Sequence, residues 1–497
     1  MTKRTGLRYA LIGVALLILL ALLATFNNRL GDGSATAPVP APVAESTEIE
    51  SLAALGDKAP SRRDLNIQTW QTAEGTKVLF VEARELPMFD LQVTFAAGSS
   101  RDENVPGLAM LTNAMLNEGV PGKDVSAIAA GFEDLGADFG NGSFRDMAIA
   151  SLRSLSAQEQ REPALQLFTE VLGQPTFPED SLLRIKNQLM AGFEYQKQNP
   201  GKLASLALYE RLYGSHPYAH PSEGSEQSIP GITRAQLQAF HAKAYAAPNA
   251  VIALVGDLSR AEAEALTSRV SAALPKGQTL PAVDQPQEPE PGTVHIEYPS
   301  NQTHITIAQL GIDRLDPDYA ALYLGNQVFG GGGFGTRLMT EVREKRGLTY
   351  GIYSGFSTMQ ARGPFTIGMQ TRAELTDGSL KLVKDMLADF INNGPTQDEL
   401  DKAKRELAGS FPLSTASNAA IVGQLGSMGF YNLPLTYLED FMSDVQALTI
   451  EQVKTAMSKH LNPEKLIIVT AGPTVEQKEL PAPTDRPVQQ PSAVPEH

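Results

Sequence analysis

The sequence predicts an α+β fold laid down twice along one chain, and three observations carry that prediction. β-Branched runs and longer helical patterns are grouped rather than alternating one by one, as α+β proteins require. Pro-rich stretches set off two blocks of similar length. Three segments of the first block recur in the second, in the same order and at a nearly constant distance.

Residues 9–26 carry no charge and are dominated by Leu, Ala and Ile, with Lys3, Arg4 and Arg8 before them and Arg29 after. Such a run is at the short end of what spans a bilayer. Residues 1–30 therefore read as an N-terminal signal-anchor, a transmembrane helix with its basic end in the cytoplasm. The rival reading is a cleaved signal peptide. The expected location is the bacterial inner membrane, single-pass, with the body facing the periplasm or exterior, or a secreted or periplasmic chain after cleavage. Residues 31–61 form an Ala/Pro-rich tether without periodicity. The first block covers 62–274, a Pro-rich linker 275–292, the second block 293–474 and a Pro-rich tail 475–497.

In the first block, Lys77–Glu82 and Phe89–Phe95 read as strands, and Gly107–Leu116 and Val125–Gly136 as helices. Longer helices follow around Glu162–Leu172 and Pro178–Gln196. In the second, Thr293–Tyr298 and His304–Leu310 are strands and Asp318–Val328 a helix. The charged helix from Pro178 to Gly192 has its counterpart from Pro395 to Gly409. Ile232–Leu237 matches Leu448–Val453, and the apolar strand Val251–Val255 matches Leu466–Thr470. Two copies of this size make a duplicated domain, not a solenoid.

Composition narrows the chemistry. The chain is an ordinary globular sequence, 42% hydrophobic and 20% charged, with a net charge of −15 that argues against a nucleic-acid partner. Without cysteine there is no disulfide, thiolate nucleophile or Cys-ligated metal. There is also no G-x-S-x-G and no H-E-x-x-H. Gly330, Gly332 and Gly335 formally spell G-x-G-x-x-G, but they follow a helical pattern instead of a strand, so Gly330, Gly331, Gly332 and Gly333 read as a substrate-approach loop or hinge. His216 and His220 have the spacing of helical zinc ligands, yet Pro217 and Pro221 forbid the helix. In Arg343–Tyr350, guanidinium and phenol are donors suited to a peptide carbonyl or oxyanion. The plainer reading makes the same stretch a basic helix end with Gly347 as its left-handed stop.

Gly330–Tyr350, with Thr336-Arg337-Leu338 and Arg343-Glu344-Lys345-Arg346-Gly347-Leu348-Thr349-Tyr350, resembles the second-domain signature of the M16 metallopeptidases, the insulinase, pitrilysin and mitochondrial-processing-peptidase group. Tyr213–Tyr218 and Pro248-Asn249 ahead of Val255-Gly256-Asp257 are also similar to family segments. The resemblance covers roughly residues 65–474 and implies two α+β domains forming half of a clamshell around a chamber. It also implies an inverted zinc motif, H-x-x-E-H, after Gly107-Leu108-Ala109. Here Met110 and Ala114 stand at the two histidine positions, Asn113 at the general base, and Gly192 at the third ligand. The resemblance therefore implies a non-catalytic subunit with no metal of its own. Zinc is expected in a partner, an M16 homologue that keeps the motif. Arg343 and Tyr350 would bind peptide substrate and stabilise the transition state in that partner's site. The alternative is a structural or chaperone-like pseudopeptidase of the cell envelope that binds peptides or assembles other proteins.

Overall fold

Two β-sheets share one strand order in the computed structural model, which describes residues 65–484. In chain order the strands of the first half are β1 (Gln68–Gln71), β2 (Lys77–Glu82), β3 (Met88–Phe95), the short pair β4 (Gly119–Val120) and β5 (Lys123–Asp124), β6 (Asp138–Ser143), β7 (Ala148–Leu155) and β8 (Ala250–Gly256). Those of the second are β9 (Gly292–Glu297), β10 (Gln302–Leu310), β11 (Ile352–Phe356), β12 (Pro364–Arg372) and β13 (Ile467–Gly472). The first sheet runs β1-β2-β8-β3-β7-β6 and the second β11-β12-β10-β13-β9. Reversed, the second order matches β2-β8-β3-β7-β6 strand for strand. Even the parallel pairing falls in the same place, β2 with β8 and β9 with β13.

The helices repeat in the same way. The first half carries α1 (Leu108–Ala114), α2 (Val125–Glu133), α3 (Gln158–Gly173), α4 (Glu179–Gln196), α5 (Pro200–Tyr213), α6 (Arg234–Ala244) and α7 (Arg260–Ala273). The second carries α8 (Tyr319–Asn326), α9 (Thr376–Asn393), α10 (Gln397–Ser410), α11 (Asn418–Phe430), α12 (Tyr437–Ala447) and α13 (Ile450–His460). Helices α6 and α13 both begin in a capping box, Thr233 with Gln236 and Thr449 with Gln452. Each box satisfies two backbone N–H groups that a helix start leaves without partners. One lysine in each half then bonds carbonyls just ahead of the box. Lys186 of α4 reaches Pro230 and Ile232, and Lys404 of α10 reaches Gln446 and Leu448.

The two halves are interleaved by one helix each. Strand β8 is buried along its whole length because both its faces are covered. Ile252 and Leu254 face the first half's own core. Val251, Ala253 and Val255 point the other way, as the period of two requires, and meet Ile421, Val422, Leu425 and Met428 of α11 from the second half. The exchange is reciprocal. Ala204, Leu208 and Leu212 of α5 pack on Ala308, Leu310, Ile467 and Val469 of the second sheet. At roughly 1.5–3 kcal/mol for each fully buried aliphatic side chain, either helix contributes several kilocalories to the other half. All the described residues accordingly fall in one compact unit.

One expectation changes. The transmembrane helix and the membrane location are corrected: among the described residues no helix is long and apolar enough to cross a membrane. Residues 1–30, on which that expectation rested, lie outside the described residues, as does the whole 31–61 tether. The Pro-rich tail gains a structural detail. Residues 474–484 run back across the second half, bonded to Glu297, Glu374 and Lys345.

Candidate functional site

Helix α1 carries the positions where the resemblance expects a metal. Asp102 sets its start, its carboxylate accepting from the backbone N–H groups of Gly107 and Ala109 at 2.7 Å. Burial pushes this carboxyl up to about 7, against the two backbone hydrogen bonds that favour its charge. Asn113, only 3% exposed, donates from Nδ2 to the carbonyl of Ile149 and to the hydroxyl of Tyr245, both at 3.2 Å. Tyr245 is fully buried, stacked on His241 and packed against Phe95. His241 Nε2 in turn lies 2.8 Å from the carbonyl of Leu172, and burial holds the imidazole below its ordinary pKa.

That set does not fit zinc. A catalytic zinc takes three N or anionic O ligands and keeps one position open for water. Met110 offers a thioether and Ala114 nothing, while Asn113 has its amide committed to the core. At Gly192 on α4 an added Cβ would touch no neighbour, so space for a longer side chain exists but no donor fills it. Sequence reasoning named these four positions but missed Tyr245, which lies 132 residues from Asn113. Nothing local links the two.

The equivalent region of the second half is organised differently. Helix α8 continues into a π-helical turn, Gln327–Gly331, and a second π-helical segment, Met339–Glu344, carries Arg343. Such turns widen the helix and recur at functional sites. Gly330 is a packed position rather than an open loop, since a Cβ there would lie 2.5 Å from Ser354 Oγ. Gly333, with φ +78°, is where the chain leaves the helix. Arg337 locks the segment to α10, with Nε and Nη2 each 2.8 Å from the carboxylate of Glu399, itself part of the α10 capping box. Glu341 pairs with both Lys345 and Arg346. Gly347, at φ +61°, ends the turn through Gly347 N to Arg343 O at 2.9 Å, so the helix-stop reading of this residue holds.

Arg343 differs from its neighbours. It makes no ion pair among the described residues, and its guanidinium lies over the ring of Phe334, 4.7 Å from the centroid. Phe334 is itself two-thirds exposed. The glycine run and Arg343 are thus brought together, with Phe334 as a contact the sequence reading did not assign. Tyr350 projects from the following loop, 79% exposed.

The His216–Pro221 stretch is an ordered junction between the halves. The Tyr218 hydroxyl bonds Asp146, whose other oxygen accepts from Gln360 N at 2.7 Å, and Tyr213 donates to Arg362 O at 3.1 Å. The cluster in the described chain whose spacing could suit a cation is Asp316, Asp318 and His460. There, Lys459 and His460 already pair with Asp318 at 2.6 and 2.8 Å.

Fold and site together define a duplicated α+β protein whose metal-helix position is occupied by core packing: a pseudoenzyme. The comparisons with known proteins agree. The family described as "Peptidase M16 inactive domain" matches residues 231–407. A crystal structure of a peptidase M16 inactive domain from Pseudomonas fluorescens is 72% identical, with a TM-score of 0.82 over 84% of this chain and 100% of that one. A "non-peptidase homolog YmxG" of Helicobacter pylori is 28% identical over 77% of this chain and 88% of its own length. Bacillus subtilis has a relative described as an uncharacterized zinc protease, 21% identical over 82% of this chain and 98% of that protein. This chain belongs to the M16 peptidase family and is a non-catalytic member of it.

Proposed function

We propose that this chain is the non-catalytic subunit of a heteromeric metallopeptidase, forming half of a clamshell with a zinc-bearing M16 homologue. It binds peptide substrate along the segment from Gly330 to Tyr350 and presents Arg343 and Tyr350 to the partner's active site. One observation carries the reading. In a segment where Arg337, Lys345 and Arg346 are all paired with carboxylates, Arg343 and Tyr350 are left available. A guanidinium and a phenol placed beside a scissile peptide can donate hydrogen bonds to its carbonyl as charge develops there. Losing one such preorganised donor costs about 10²–10³ in rate.

The test is co-expression with an H-x-x-E-H homologue from the same genome, followed by peptide hydrolysis by the purified complex. Arg343→Ala and Tyr350→Ala should each lower kcat by about 10²-fold while the complex still assembles. A complex whose rate ignores both substitutions would refute the shared site. Peptide binding retained without any hydrolysing partner would favour the chaperone-like alternative instead.

A further inference from the structure

After β13 the chain does not leave the second half. Thr474 bonds Glu297 through its backbone N–H at 3.2 Å and its hydroxyl at 2.7 Å. Gln477 then does what a capping residue does. Helix α9 has no side-chain cap of its own, and Gln477 Oε1 accepts from Asp377 N in its first turn at 3.0 Å. The Gln477 amide also donates to Ala373 O at 3.0 Å, and Lys478 N to Glu374 O at 2.7 Å. Leu480 follows, seated against α9 at Gly378 and packed on the second half's core. A Cβ at Gly378 would lie 2.7 Å from Leu480 Cγ, so the bare backbone of this glycine is the notch that receives the leucine.

The last contact gives the segment its importance. Thr484 donates from its backbone N–H at 2.8 Å and from its hydroxyl at 3.1 Å, both to the carbonyl of Lys345. Lys345 lies between Arg343 and Tyr350, where the π-helical turn ends and the N–H groups of Gly347 and Leu348 bond back to the carbonyls of Arg343 and Val342. One end of residues 474–484 is therefore anchored on β9 and the start of α9, and the other on the loop that aims the exposed phenol.

We propose that residues 474–484 are a strap that sets the position of the Arg343–Tyr350 segment, and that engaging or releasing it regulates peptide binding there. The regulatory part rests on the peptide-binding reading above; the positioning part does not. Coupling of this kind is reciprocal, so bound peptide would also tighten the strap.

Two full-length variants release the strap by different routes. Gly378→Ala fills the notch yet improves α9 as a helix, since alanine is the better helix former. Leu480→Ser removes the anchoring side chain and leaves α9 unaltered. Amide hydrogen exchange followed by mass spectrometry reads 474–484 and 346–350 separately, and fluorescein-labelled casein peptides report affinity. Both variants should raise exchange at 474–484 and at 346–350 by roughly tenfold or more, leave α1 and α6 unchanged, and shift casein-peptide affinity severalfold. Fast exchange at 474–484 with 346–350 still protected would overturn the proposal. Unchanged protection at 474–484 in both variants would overturn it equally, because the notch would then hold nothing. A loosened 346–350 with unaltered affinity removes the regulatory claim. Measuring Arg343→Ala alongside separates the two failures: if it too binds casein peptides as the wild type does, the peptide-binding reading has failed and not the strap.

Discussion

The two halves share a strand order and a set of helices, but they treat the same region in opposite ways. In the first half, Asn113 is 3% exposed and bonded to the buried Tyr245 hydroxyl, so the position where the resemblance expects a general base holds the core together. In the second half, the chain from Gly330 to Tyr350 is braced from behind by Arg337, Glu399 and Thr484, while Tyr350 faces outward and the half-buried Arg343 makes no ion pair among the described residues. One copy has exchanged chemistry for packing. The other holds Arg343 and Tyr350 in a framework whose ion pairs and hydrogen bonds run through Arg337, Glu341 and Thr484. Residues at the first site should therefore report in stability, and residues at the second in binding or rate.

The comparison is sharp only if the halves are one folding unit, and the exchanged helices test that with the largest effect. Leu425 on α11 and Leu208 on α5 are both buried against the opposite half's sheet. Leu425→Ala and Leu208→Ala should each cost about 2–5 kcal/mol in chemical denaturation. Trp70, the single tryptophan, lies on β1 under the Arg260 guanidinium, so its fluorescence follows the first half, whereas far-UV circular dichroism follows both. In Leu208→Ala the two signals should still move together. Separate midpoints would mean that the halves unfold independently.

Much of this frame was legible in the sequence, for a physical reason. Strand β2 is found at Lys77–Glu82 as read, and the repeated segments 178–192, 232–237 and 251–255 lie on α4, α6 and β8 as their partners lie on α10, α13 and β13. Those signals are local: β-branched runs, Pro at a helix start, a Thr three residues before Gln. The helix exchange was not legible, because an amphipathic face does not say which sheet it covers and Leu425 lies more than 160 residues from the nearest first-sheet partner, Val255. The strap was not legible for a related reason. Its prolines speak against regular structure, and it has none, but hydrogen bonds from Gln477, Lys478 and Thr484 hold it in place all the same. At the site, the missing zinc donors could be read residue by residue, whereas Tyr245, which explains why Asn113 is tolerated, could not.

The vacated helix gives the next largest effect. Asn113→Ala leaves the Tyr245 hydroxyl and the Ile149 carbonyl in the core without their amide partner. An unsatisfied buried polar group costs about 1–3 kcal/mol. The same loss should appear in Asn113→Glu, which removes the amide donor and sets an acceptor-only carboxylate against the Ile149 carbonyl. If Asn113→Ala were as stable as the wild type, the amide would not be a core element and the contrast between the halves would weaken.

The smallest effect carries the most information about function. Arg343→Ala removes a half-buried guanidinium that lies over the exposed ring of Phe334, and Tyr350→Ala removes a side chain that is 79% exposed. Surface substitutions away from caps, cores and networks stay within about 0.5 kcal/mol. Arg337→Ala, six residues earlier, should behave differently, since it breaks the bidentate contact to Glu399 and takes the guanidinium from the Gly394 carbonyl. Thermal denaturation of the three variants side by side would show two curves on the wild type and one below it. If Arg343→Ala or Tyr350→Ala lowered stability as much as Arg337→Ala, both residues would be framework after all. The second half would then have no more reason than the first to be called a site.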